Sequence, residues 1–316
     1  MKRCPLSYNS IPDTESYSIE GLKSLDRGLK DLEPLQLTAS ELRYQATARA
    51  GKMSIQGVQP KLSAALSIRN GKFEIVDRNG RYILKPPSAD YPELPENEDL
   101  TMKLAKVAGI EVPIHGLIRS IDGSYTYFIK RFDRVGRKEK VSLEDFAQLL
   151  GESRETKYRS SMEQVGSVIK TYCTFPRVEA VKLLRLTLFS FLIGNEDLHL
   201  KNFSLIVRER KIELSPAYDL LNSTIVITKP EEELALPLRG KKSKLKSEDL
   251  LEYFGIERLE LNKRVITDVV SGMMDAVPEW KCFIDSSFLS DRYKKAYLDL
   301  LEERVKRITE SQKATS

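Results

Sequence analysis

Histidine is almost missing from this 316-residue chain, occurring only as His115 and His199. That leaves little material for a His-rich metal centre or a Ser-His-Asp relay. Cysteine is nearly as scarce: Cys4, Cys173 and Cys282 are odd in number, widely separated and form no CxxC pair. A disulfide framework and a zinc site are therefore not expected. Long apolar runs are lacking too. The greasiest, Leu183 to Ile193, is short and contains Arg185, so it reads as a buried helix, not a membrane span. The opening Met1-Lys2-Arg3-Cys4-Pro5 has no apolar signal-peptide core. These absences predict a cytoplasmic protein without a membrane partner. What remains is ordinary for a globular chain, with 41% hydrophobic and 31% charged residues and a net charge of +5. Such a charge permits anionic partners without demanding nucleic acid. The length suits one two-lobed domain or two modest ones.

The first half mixes helix signals with short β-like runs. Thr38 and Glu41 form a capping box that opens a helix stopping near Gly51. Leu62–Ile68, Phe73–Val76 and Arg81–Lys85 read as strands, and Asn70-Gly71 and Asn79-Gly80 between them are hairpin cues. A Pro-rich loop leads to a helix from about Glu96 to Val107, ended by Gly109, and strands follow near Ile114–Ile118 and Tyr125–Lys130. After Arg134 helical spacing takes over, first in a helix capped by Ser142 with Asp145, then in Met162–Tyr172 and Val178–Ile193. A hairpin (Phe203–Val207 with Lys211–Leu214) interrupts it, and helices alone are expected from Ser247. The predicted class is α+β, with a small β-rich lobe over 1–130 and a larger helical lobe over 131–316, as in protein kinases.

The most informative stretch is Gly194-Asn195-Glu196-Asp197-Leu198-His199-Leu200-Lys201-Asn202, followed by Tyr218-Asp219. An Asp, an Asn five positions on and a second Asp further along reproduce the order that phosphoryl transfer needs. The first Asp orients the nucleophile's hydroxyl, while the Asn and second Asp hold Mg²⁺ against ATP phosphates. Three upstream segments join this loop. Tyr82-Ile83-Leu84-Lys85 is an apolar strand ending in a lysine, suited to phosphates or equally to solvent. The segment from Ser54 through Gln56, Gly57, Val58, Gln59, Pro60 and Lys61 could offer backbone N–H groups to phosphates or form a plain turn. Lys130, Arg131, Phe132 and Asp133 read as a hinge toward adenine and ribose, or as a strand end with charged neighbours. Their order along the chain favours a kinase.

Taken together with Asn97-Glu98, Arg131-Phe132-Asp133-Arg134 and Glu144-Asp145, these segments resemble the HipA-like kinases, the toxins of bacterial toxin–antitoxin operons. The resemblance implies a kinase-like fold and a Ser/Thr protein kinase using ATP and Mg²⁺. It implies Asp197 as catalytic base, Asn202 and Asp219 as Mg²⁺ ligands and Lys85 as phosphate anchor. Gln56–Lys61 would cover the phosphates, Lys130 to Phe132 would meet adenine, and Asp133, His199, Leu200, Lys201 and Tyr218 would line the ATP pocket. Glu98 would pair with Lys85, although Glu96 and Asp99 compete for that place. Ser54 matches the family's autophosphorylated position, where about −1.5 to −2 of added charge would eject the loop or repel nucleotide. Only 53 residues precede Ser54, which resembles the shorter HipT-type toxins of three-component operons. The partners implied are a HipB-like helix-turn-helix antitoxin, a small HipS-like protein, and an aminoacyl-tRNA synthetase as substrate, with DNA reached only through the antitoxin.

Two other readings stand beside this one. A kinase-fold module that merely binds antitoxin or DNA should lack Lys85, Asp197, Asn202 or Asp219, and all four are present. A two-carboxylate metal hydrolase lacks the surplus of His and Asp ligands that paired metals require. Arg239, Lys241, Lys242, Lys244 and Lys246 form a basic run that could touch DNA, but it reads first as a solvated, mobile loop.

Overall fold

In a computed structural model of the protein, residues 2–49, 59–136, 139–227 and 230–313 are described. The chain divides into two compact units. One comprises Met1–Leu100, Pro113–Glu139 and Asp285–Leu289; the other comprises Thr101–Val112, Lys140–Ile284 and Ser290–Ser316.

The first unit opens with a short hairpin, β1 (Lys2–Arg3) and β2 (Ser10–Ile11), followed by α1 (Ile19–Leu25) and α2 (Ala39–Arg49). The expected capping box starts α2: Thr38 N–H donates to Glu41 Oε2 at 2.8 Å, and Glu41 N–H donates to Thr38 Oγ1 at 3.3 Å. The sheet contains β3 (Leu62–Ser67), β4 (Lys72–Ile75), β5 (Tyr82–Lys85), β6 (His115–Arg119) and β7 (Tyr125–Lys130). All neighbours are antiparallel, in the order β4-β3-β5-β7-β6. Asn70-Gly71 does turn a hairpin, between β3 and β4. Asn79-Gly80 does not: β5 crosses to the far edge of β3, pairing Leu62 with Leu84 and Ala64 with Tyr82. Gly80 lets it do so, because a Cβ there would lie 1.9 Å from Ser63 Oγ and 3.0 Å from the Ala64 nitrogen.

Alternation along β5 divides its side chains between the two faces of the sheet. Tyr82 and Leu84 join Leu62, Ala64, Phe73, Ile118 and Phe128 in a core closed by Leu22, Leu25, Leu42 and Ala46 of the helices. Phe73 lies 5.1 Å from both Tyr82 and Phe128, between ring centroids. Lys85 falls on the opposite face, opposite Tyr127, with its ammonium 5.6 Å from that ring. Helix α3 (Leu94–Val107) carries the acids that follow the Pro-rich loop.

Beyond the sheet come β8 (Arg134–Val135) and β9 (Glu139–Lys140), then β10 (Leu143–Asp145) and α4 (Phe146–Leu149). The cap of α4 sits three residues later than expected. Asp145 itself is the N-cap, accepting from Gln148 N–H at 2.9 Å, because Ser142 and its neighbours are drawn toward β11. In the second unit α5 (Met162–Tyr172) and α6 (Pro176–Ile193) follow, then β11 (Ser204–Arg208) and β12 (Lys211–Leu214). β10, β11 and β12 form a three-stranded antiparallel sheet. Helix α6 is apolar around most of its circumference and is buried from Leu183 to Ile193 save for Arg185. Each fully buried Leu or Phe contributes about 1.5–3 kcal/mol. The chain ends in a wide-turned helix over Asp249–Arg258, α7 (Lys263–Ser286) and α8 (Asp291–Lys313). Within this unit the Trp280 indole donates to the Leu104 carbonyl at 3.0 Å, and Tyr297 meets Thr101 at 3.0 Å. Among the described residues no helix is long and apolar enough to cross a membrane.

Candidate active site

The Asp197 loop begins where α6 ends. Gly194 closes the helix with φ +72, and a Cβ there would lie 2.4 Å from Leu300 Cδ2 and 2.8 Å from Thr224 Oγ1. Only glycine meets both demands. The Gly194 carbonyl accepts from the Ser223 and Thr224 hydroxyls at 3.2 and 3.0 Å, and Glu196 N–H donates to Ser223 Oγ at 2.6 Å. Asp197 N–H donates to Asn195 Oδ1 at 3.1 Å, and His199 N–H donates to the Asp197 carbonyl at 2.9 Å. The Asp197 backbone is thus fixed on both sides, while its residue keeps part of its surface in solvent.

A single 3₁₀ turn, Leu200–Asn202, brings the Asn back toward the loop. Asn202 Oδ1 accepts from His199 N–H at 3.0 Å. A backbone N–H can only donate, so the oxygen faces it; one of its two lone pairs remains for another partner. Tyr218 ties in the second Asp. Its hydroxyl donates to the Lys201 carbonyl at 2.9 Å, so the 2.6 Å bond with Ser204 must take its proton from the serine. Asp219 follows with φ +56. That left-handed conformation costs an ordinary residue about 1–2 kcal/mol, and Asp tolerates it better than most. Lys201 reaches Asp145 at 2.8 Å, and Leu200 is fully buried. The second unit therefore assembles Asp197, His199, Lys201, Asn202, Tyr218 and Asp219 on one hydrogen-bonded stretch.

Two further residues belong to that stretch. Lys157 Nζ lies 2.6 Å from His199 Nε2. An ammonium can only donate, which makes Nε2 the acceptor and puts the ring proton on Nδ1. Burial lowers the pKa of this imidazole below its usual 6.5, in keeping with a neutral ring. The next residue, Tyr158, donates its hydroxyl to Asp197 Oδ1. Burial and then the accepting Asp197 push that phenol above its ordinary pKa. Sequence reasoning missed both residues.

In the first unit Lys85 Nζ lies 2.6 Å from Glu98 Oε1, with both residues buried. The competing acids have other surroundings. Asp99 bonds His115 Nδ1 at 2.8 Å. Glu96 is pushed up to about 7 from 4.5, chiefly by burial. Between those values the folded chain holds a proton that the unfolded chain has released, so stability falls as pH rises from about 4.5 to about 7. Glu96→Gln should therefore raise the melting temperature at pH 8, by up to about 3 kcal/mol or on the order of 5 °C, and change it little at pH 4. Equal shifts at both pH values would assign the effect to packing.

Lys130 ends β7, and Arg131 to Asp133 follow it directly. The Lys130 and Arg131 N–H groups donate to the Ile114 and Arg81 carbonyls at 2.7 and 2.8 Å, within the sheet. Asp133 receives a two-pronged bond from Arg131 at 3.0 and 2.8 Å. Burial alone would raise the Asp133 pKa, but Arg131 and Arg134 outweigh it and hold the carboxyl below its usual range. Gln59, Pro60 and Lys61 lead into β3, whereas Ser54, Gln56, Gly57 and Val58 lie outside the described residues.

The basic run is solvent-exposed, as expected, at Arg239, Lys241, Lys244 and Lys246, but three of its cations have acidic partners. Arg239 reaches Glu248 at 3.1 Å, Lys241 reaches Asp249 at 3.3 Å and Lys242 reaches Glu232 at 3.1 Å. Leu238 and Leu245 anchor the segment, both fully buried. Acids eight to ten residues away thus pair with Arg239, Lys241 and Lys242.

Comparison with known proteins places this arrangement. A family described as the HipA-like C-terminal domain matches residues 53–281. A Sinorhizobium fredii protein assigned as a kinase is 34% identical over 241 residues, covering 71% of this chain and 58% of that protein. A Haemophilus influenzae protein assigned as a kinase is 31% identical over 259 residues, covering 75% of this chain and 72% of its own length. The serine/threonine-protein kinase toxin HipA of Shewanella oneidensis is 28% identical over 207 residues, covering 59% and 47%. This chain thus spans about half to three quarters of the length of these relatives. In structure, HipA of the Shewanella oneidensis complex with HipB and operator DNA superposes with a TM-score of 0.66 at 23% identity, covering 88% of this chain and 72% of that one. The Helicobacter pylori proinflammatory kinase CtkA gives 0.54 at 16% identity, covering 74% and 92%. The fold is protein-kinase-like, mixing helix and sheet, and the chain belongs to the family of HipA-like C-terminal domains.

Proposed function

We propose that this chain is an ATP- and Mg²⁺-dependent serine/threonine protein kinase, the toxin of a HipT-type toxin–antitoxin system. One observation carries the reading above all: the buried 2.6 Å pair of Lys85 and Glu98. Desolvating two charges offsets most of what their attraction returns, so a buried ion pair is poorly explained by stability. A lysine held by a helix acid at the end of a sheet strand is what a kinase uses to grip nucleotide phosphates.

The other roles follow residue by residue. Asp197 accepts the acceptor hydroxyl's proton, and Asn202 and Asp219 hold Mg²⁺. One carboxylate and one amide oxygen suit a hard cation that takes its other ligands from phosphates and water. Gln56 through Lys61 cover the phosphates. Lys130, Arg131, Phe132 and Asp133 face the nucleoside, while His199, Leu200, Lys201 and Tyr218 complete the ATP site. Residues 1–130 serve as the small lobe and 131–316 as the helical one. The substrate is an aminoacyl-tRNA synthetase, phosphorylated in the cytoplasm. A HipB-like protein and a small HipS-like protein restrain the toxin, and DNA is met through the former.

Incubation with Mg-ATP followed by mass spectrometry tests this. Phosphate is expected on Ser54, and is expected to be absent after Ser54→Ala or with EDTA. Protein left unmodified after long incubation, with ATP unconsumed, overturns the reading.

A further inference from the structure

Tyr158 is bonded to the group that the kinase reading names as base. Its O–H donates to Asp197 Oδ1, the hydrogen bond that a serine or threonine hydroxyl needs in order to attack phosphorus through its oxygen. The phenol does not rest there by chance of a long side chain. Its ring stands edge-on to His199, 5.1 Å away at 80°. Lys157 Nζ sits 4.9 Å from the ring centroid while bonding His199 Nε2 at 2.6 Å. The Lys157 carbonyl accepts from Leu200 N–H at 3.3 Å, docking the segment onto the 3₁₀ turn itself. Lys242 Nζ also approaches the Tyr158 ring, 6.0 Å from its centroid.

The rest of the segment is built to come away. From Gly151 to Ser160 it contains only turns and bends, Ser153, Arg154 and Glu155 are exposed, and Tyr158 keeps 40% of its surface in solvent. Its remaining side-chain bonds are local, such as Ser153 N–H to Thr156 Oγ1 at 2.8 Å.

We propose that Tyr158 is a resident pseudosubstrate: it fills the acceptor-hydroxyl place at Asp197, and any protein hydroxyl or water must displace it before phosphate transfer. This rests on the kinase reading. In the transfer, the incoming oxygen bonds the γ-phosphorus, and its proton passes to Asp197. The bond from phosphorus to the β,γ-bridging oxygen breaks, leaving its electron pair on ADP. In this proposal Tyr158 is not itself phosphorylated, its ring packing edge-on to His199 beneath Lys157. The device acts on the acceptor and not on the nucleotide.

Tyr158→Phe keeps the ring and deletes the donor. With Mg-ATP and water as acceptor, the variant should hydrolyse ATP about three- to tenfold faster, with the KM for ATP unchanged within about twofold. With dephosphorylated casein as a protein acceptor, its KM for casein should fall by a similar factor. Amide hydrogen exchange over residues 152–161 should quicken in the same variant. Faster exchange with unchanged acceptor kinetics overturns the pseudosubstrate while leaving the kinase reading standing, as does phosphotyrosine found at position 158. Unchanged exchange overturns the pseudosubstrate as well, since displacing Tyr158 must then leave the segment in place. Absence of any phosphate transfer in wild type and variant alike sinks the kinase reading, and the proposal with it.

Discussion

Asp197→Asn is expected to lower phosphate transfer by about 10²–10⁴-fold, the contribution of a positioned general base. Growth arrest on expression should disappear with it. The substitution is close to isosteric: the backbone bonds to Asn195 Oδ1 and from His199 N–H stay, and the Asn oxygen can still accept from the Tyr158 hydroxyl. The melting temperature should therefore stay within about 2 °C of wild type, since no bond is removed and no cavity is made. Activity lost from a folded protein assigns the carboxylate a chemical role. Retained toxicity would place the harmful activity elsewhere on the chain.

The second large effect concerns Lys85 and Glu98. Removing either partner of a buried pair typically costs about 3–5 kcal/mol. Lys85→Ala and Glu98→Ala should each shift the urea midpoint strongly, and the double change should cost less than the two added together. Replacing the pair by Lys85→Met with Glu98→Leu should recover most of the stability, since apolar side chains fill the space without a desolvation cost. Phosphate transfer should stay lost in all four variants. An apolar pair that still transfers phosphate would show that Lys85 does not anchor nucleotide. Stability that fails to recover would point instead to packing specific to the two charged side chains.

Much of the fold is legible in the order of residues because its elements are specified locally. The box of Thr38 and Glu41 opens α2, helical spacing places α5 and α6, and alternation places β3, β5 and β7 within a residue or so. Pairing is another matter. Asn79-Gly80 has the chemistry of a hairpin turn, yet β5 runs beside β3, because edge choice depends on which neighbour buries Tyr82 and Leu84. The α4 cap moved for a similar reason, when residues near Ser142 were claimed by β11.

At the candidate site, spacing within one loop or one strand names Asp197, Asn202, Asp219 and Lys85 and supports their chemical types. It does not choose among Glu96, Glu98 and Asp99, which stand within four residues on one helix and differ only in direction. Nor does it find Tyr158, whose partner lies 39 residues away and whose segment has no periodicity to mark it. Nor does it show that Arg239, Lys241 and Lys242 of the basic run pair with Glu248, Asp249 and Glu232 once the chain folds.

The amino-acid order alone thus settled the chemical inventory and the succession of helices and strands, because propensity, capping and side-chain alternation act over a few residues. The tertiary structure alone decided which acid meets Lys85, which edge β5 takes and which hydroxyl rests on Asp197. Those choices depend on burial and on direction in space, and neither is a property of neighbouring letters.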